Sequence, residues 1–105
     1  MAKDDLTKGE IITFIKKSKA RLSSLGVKSI GLFGSFVRGQ ASRESDVDLL
    51  VEFDSGKKTY DNFIDTCFFF EELLGRKVEL VTTDSLSPYI KPYILKEVEY
   101  VTLSS

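Results

Sequence analysis

The chain has 105 residues, 42% of them apolar and 30% charged, which fits one folded domain and excludes a disordered or fibrous protein. Its net charge of −1, from 15 basic and 16 acidic residues, gives no electrostatic reason to expect nucleic acid as a direct ligand. There is no histidine, which excludes His general bases, Ser-His-Asp triads and His-ligated zinc and leaves carboxylates, hydroxyls, Lys, Arg and backbone amides for any chemistry.

The opening residues Met1-Ala2-Lys3-Asp4-Asp5 lack the apolar core of a secretion signal. No apolar run approaches the roughly 20 residues of a membrane helix, so a cytoplasmic location without membrane contact is expected. Thr7-Lys8-Gly9-Glu10 fits a capping box, and Ile11, Ile15, Leu22 and Leu25 follow at helical spacing up to Gly26. One helix is therefore predicted from about Thr7 to Leu25. Val27 to Phe33 predicts the first strand. Gly34-Ser35 begins a tight turn into a short helical segment ending near Gly39, and Gln40 to Ser45 is a polar loop.

Val47 to Phe53 alternates cleanly. Val47, Leu49, Val51 and Phe53 form an apolar face, while Asp46, Asp48, Leu50 and Glu52 form a mostly acidic one. A helix is predicted over Tyr60 to Leu74, with Phe63, Ile64, Cys67, Phe68, Glu71 and Leu74 as its inner stripe and Gly75 as its cap. Cys67, the only cysteine, reads as a buried core thiol and can form no internal disulfide. Phe68-Phe69-Phe70 reads as core plus an exposed edge, with a partner surface as the other option. Lys77 to Thr82 predicts a third strand. Ser87-Pro88 predicts a helix start running to about Lys96, and Val98 to Leu103 a closing edge strand. This alternation of helices and strands predicts a small α/β sandwich, with an exposed edge or a subunit contact between copies.

Three places carry chemistry. Asp46 and Asp48, two apart on a strand, share a face about 6.6 Å apart at Cα and suit Mg²⁺, which takes one or two protein carboxylates. Taken alone, the pair also fits a solvated sheet face. Gly34-Ser35, between a strand and a helix start, exposes amides to an anion, with Arg38 one turn on. Taken alone, it also fits an ordinary turn with Ser35 as N-cap. Glu79 leaves the face used by Val78 and Leu80, toward water or metal. If the Glu79 strand lies beside the Asp strand, the set has what phosphoryl-type transfer needs: metal ligands, a phosphate cradle and a carboxylate that takes a proton.

Gly34-Ser35, about ten residues, then Asp46-Val47-Asp48 resembles the signature of the DNA polymerase β-like nucleotidyltransferase superfamily. The string from Gly31 to Phe53, GLFGSFVRGQASRESDVDLLVEF, is similar to its minimal nucleotidyltransferase branch, often encoded beside a HEPN-domain protein. The resemblance implies a polymerase β-like fold, with a mixed four-stranded sheet and helices packed on it. It implies that Asp46 and Asp48 hold two Mg²⁺ ions, with Glu79 as the third carboxylate near the acceptor hydroxyl, acting as base or metal ligand. Gly34, Ser35 and Arg38 would then bind the triphosphate of ATP. Where the branch commonly has Asp as its third carboxylate this chain has Glu79, and a displacement of about 1 Å can cost about a hundredfold in rate.

The resemblance further implies an antitoxin that adenylylates a HEPN toxin on tyrosine. Two alternatives stand beside it: an antitoxin that neutralises such a partner by binding alone, and an aminoglycoside-type transferase acting on a small molecule. The intact Gly34, Ser35, Asp46 and Asp48 favour catalysis over binding alone. The lack of an added helical acceptor domain disfavours a small-molecule acceptor.

Overall fold

The computed structural model describes residues 6–101 and 103. Met1 to Asp5, read above as free of a secretion signal, and Thr102 of the expected closing strand lie outside the described residues. Thr7 starts the first helix as expected. Its hydroxyl accepts from the Glu10 amide at 3.1 Å, and the Glu10 carboxylate accepts from the Thr7 amide at 3.1 Å. The helix does not continue unbroken to Leu25. It is divided at Ser18 into α1 (Lys8–Lys17) and α2 (Lys19–Ser24). The Ser18 hydroxyl donates to the Phe14 carbonyl at 2.8 Å and the Ser18 amide to Ile15 at 3.0 Å, which tightens and bends the ladder there.

The strands are β1 (Val27–Phe33), β2 (Val47–Phe53), β3 (Val78–Thr82) and β4 (Glu99–Val101), in spatial order β3-β2-β1-β4. β1 runs antiparallel to both β2 and β4, while β2 and β3 are parallel, so the sheet is mixed as expected. A bulge at Lys28 lets Val27 pair with Phe53 and Ser29 with Glu52. Ile30, Leu32, Leu49, Val51 and Leu80 join Ile11, Ile15, Leu22, Phe70 and Leu74 in one core on one face of the sheet. The apolar face read from the Val47–Phe53 alternation is this core face.

Helix α4 (Tyr60–Leu74) has the expected bounds, capped by the Thr59 hydroxyl and by Gly75 in the left-handed conformation. Its inner stripe is rotated from the expected one. The fully buried line is Thr66, Phe70 and Leu74; Phe68 is 63% exposed, and Phe63, Ile64, Cys67 and Glu71 are half-buried. Thr66 can go inside because its hydroxyl donates to the Asn62 carbonyl one turn back, at 2.6 Å. The triple phenylalanine is core plus edge, as read. Cys67 is only half-buried, and partial burial still raises its thiol pKa.

Ser87 caps a turn rather than a helix. The regular helix α5 begins at Lys91, with Pro92 in its first turn, and ends at Glu97; none of its residues is buried. β4 follows at once. Val98, between them, covers Gly31 on the sheet face opposite the core, where an added Cβ at Gly31 would stand 2.5 Å from Val98 Cγ2. Leu50, paired with Gly31 on that same face, is only 1% exposed.

Candidate active site

Strand directions bring four chain segments to one corner. β1 ends where antiparallel β2 begins, so Phe33 pairs with Asp48. β3 begins at the same end because it is parallel to β2, so Asp48 pairs with Glu79. β4 also begins there, being antiparallel to β1, and this delivers the end of α5. Paired residues share a face. Asp48 and Glu79 are therefore neighbours on the face opposite the core, where Glu79 is exposed and Asp48 half-buried.

Asp46 is the last residue of the loop before β2 and is half-buried. Burial, then the charges of Glu79 and Asp46, and lastly that of Glu97, push the Asp48 carboxyl up to about 6; Arg38 acts the other way. The three carboxylates gather at one corner without closing: among the described residues, no group of three such side chains is already set to hold a metal ion.

The turn after β1 lies against Asp48. Gly34 has φ 82° and ψ −153°, a region essentially confined to glycine. A Cβ there would overlap Asp48 Oδ2 and stand 2.9 Å from Cγ. Gly34 is itself the N-cap of α3 (Ser35–Arg38), so Ser35 is not the cap that an ordinary turn would make of it. A helix of four residues has little dipole, so any anion affinity here comes from individual donors.

Two of those donors are visible. The Gly34 amide donates to Glu97 Oε2 at 2.7 Å, and Arg38 Nη1 donates to both Glu97 oxygens at 3.1 Å. Arg38 Nε also donates to Gln40 Oε1 at 3.1 Å. Glu97 is absent from the sequence reading because Lys96-Glu97 at a helix end looks like a solvated face, and only the β4 pairing brings it here.

Arg76 is likewise unforeseen. Its Nη1 donates to the Ser42 and Ser45 carbonyls at 2.8 and 3.2 Å, and its guanidinium lies 5.4 Å from the Phe36 ring centroid. It thus ties the loop that delivers Asp46 to the helix that follows Gly34. We expect Arg76→Ala to remove both bonds to the loop and to speed amide exchange at Ser42 to Ser45. Exchange mass spectrometry checks this.

Residues 13–101 match the family model for the nucleotidyltransferase domain. This chain is a member of that family. Within it, the chain is a minimal nucleotidyltransferase of the polymerase β-like superfamily. It is 42% identical over 97 residues to the protein adenylyltransferase MntA of Thermococcus cleftensis, a match covering 91% of this chain and 97% of that one. It is 39% identical over 98 residues to a Methanocaldococcus jannaschii protein named as a candidate protein adenylyltransferase, covering 90% and 98%.

The fold agrees with a solved candidate minimal nucleotidyltransferase, with a TM-score of 0.67 at 29% identity over 84% of this chain and 93% of that one. A toxin–antitoxin complex solved with AMP-PNP shares the fold as well, with a TM-score of 0.63 at 20% identity over 80% and 72%. The expected α/β sandwich with a mixed four-stranded sheet is therefore the fold of this nucleotidyltransferase. Among the described residues no helix is long and apolar enough to cross a membrane.

Proposed function

We propose that this nucleotidyltransferase transfers AMP from ATP to a hydroxyl of a partner protein, a tyrosine of a HEPN toxin, and thereby acts as its antitoxin. The observation that carries the chemistry is the pairing of Asp48 with Glu79 beside the backbone of Gly34. Mg²⁺ fits the donors present. Asp48 is held high by burial and by neighbouring carboxylates, a surplus of negative charge on hard oxygen ligands that a divalent cation relieves. Asp46, Asp48 and Glu79 would hold the metal, two ions in this reading, which when bound offsets phosphate charge and polarises the α-phosphorus.

The residues then have separate tasks. The Gly34 amide, the Ser35 hydroxyl and Arg38 bind the β- and γ-phosphates. Glu79, exposed at the corner, accepts the proton of the attacking hydroxyl. The acceptor oxygen forms a bond to the α-phosphorus, the bond from that phosphorus to the bridging oxygen breaks, and pyrophosphate leaves with the electron pair.

A macromolecular acceptor is supported by the surface next to the site. Tyr93, one helical turn before Glu97, is 76% exposed. The relatives named as protein adenylyltransferases agree with that choice.

The test mixes the protein, Mg²⁺, α-labelled ATP and the product of the neighbouring gene. Label is expected on the partner with wild type and not with Glu79→Gln, which keeps shape and loses the base. Neutralisation of the partner by both proteins, with neither leaving label, would instead establish occlusion without catalysis.

A further inference from the structure

We propose that Glu97 is a built-in competitor for the phosphate cradle, its carboxylate holding the Gly34 amide and the Arg38 guanidinium in the nucleotide-free protein and withdrawing when phosphates arrive. The inference rests on the reading of Gly34 and Arg38 as phosphate donors given above.

The contact has the form of a bound anion. One backbone amide and one guanidinium nitrogen converge on a single carboxylate at 2.7 to 3.1 Å, the donor set by which proteins hold phosphate oxygens. The carboxylate side chain is 24% exposed and the guanidinium side chain 49%, so an incoming phosphate can reach the same donors. A phosphate oxygen and Glu97 cannot both occupy these donors, and two anions at hydrogen-bond separation repel.

The route of withdrawal is also built in. Glu97 is the last residue of α5, and no residue of that helix is buried, so its displacement removes no core side chain. Val98, directly after it, is anchored over Gly31, which confines the movement to the segment before the strand. Binding is thereby reduced by the fraction of time the cradle is closed; if it is closed about nine-tenths of the time, the apparent affinity falls about tenfold.

Two measurements decide this. Calorimetry of AMP-PNP with Mg²⁺ is expected to show Glu97→Gln binding about tenfold tighter than wild type at equal ionic strength. Wild type that binds while Glu97→Gln binds equally or more weakly would overturn the inference alone, leaving Glu97 as a support for Arg38. Failure of both proteins to bind would overturn the nucleotide reading itself, and this inference with it.

The second measurement needs no variant. On binding AMP-PNP with Mg²⁺, wild-type amides of Lys91 to Glu97 are expected to exchange faster, although a ligand ordinarily slows exchange. Slower or unchanged exchange there would overturn the proposal.

Discussion

At pH 8, Asp48→Asn is expected to melt above wild type while losing nucleotidyl transfer. The Asp48 carboxyl titrates near 6 in the folded chain against 3.8 for an unperturbed side chain, because burial and then Glu79 and Asp46 oppose its charge. A raised carboxyl means that the folded state binds the proton more tightly than the unfolded one. Its contribution to stability is therefore greatest below about pH 4. It declines as pH rises from about 4 to 6, and above that the ionised group opposes folding.

Asn removes the charge and keeps the shape. Asp48 is half-exposed, so solvent screening reduces the gain to on the order of 1 kcal/mol, or about 4–8 °C for a chain of this size. The gain should vanish at pH 4, where wild type is itself protonated. Mg²⁺ at pH 8 should raise the melting temperature of wild type more than that of Asp48→Asn, which keeps Asp46 and Glu79 but loses the carboxylate between them. Thermal scans at the two pH values, with and without Mg²⁺, check all three outcomes. A lower melting temperature for the variant at pH 8 would mean that the corner is not crowded with negative charge.

Gly34→Ala is expected to have the largest effect of any single methyl group added to the protein. The backbone at Gly34 lies in the glycine-only region, which alone costs about 1–3 kcal/mol for another residue. The added Cβ must also displace the Asp48 carboxylate it would overlap. Stability and the metal corner should fail together: unfolding in urea is expected at lower concentration, and binding of Mg²⁺ with AMP-PNP is expected to be lost. Gly39→Ala is the control. Gly39 is also left-handed, but a Cβ there meets nothing within 4 Å, so it should cost about 1–2 kcal/mol and leave nucleotide binding intact.

The sequence carried the strands well because their signals are local. The alternation of Val47 to Phe53 set both the bounds and the faces of β2, and glycines set the ends of β1 and α4. The inner stripe of α4 was misplaced because Thr66 looks polar until its hydroxyl is returned to its own helix. The break at Ser18 was hidden for the same reason.

At the site, Asp46, Asp48 and Glu79 were visible as residue types at suggestive spacings. Their meeting depended on β2 and β3 being parallel and adjacent, which no local pattern states. Glu97 and Arg76 were invisible. Each is far in sequence from what it touches. Arg76 follows the end of α4, where a cation is expected anyway, whereas Glu97 closes α5 with the sign that the helix dipole disfavours, and only its contacts with Gly34 and Arg38 account for it.

The notch left by the missing side chain of Gly31 has Val98 seated in it. It thereby seats the residue that lies between Glu97 and β4. A substitution at Gly31 would touch neither metal nor phosphate, yet it would disturb that seat. On the proposed competition by Glu97, tuning nucleotide admission would need no change among the reacting groups; a shim under the final strand would be enough.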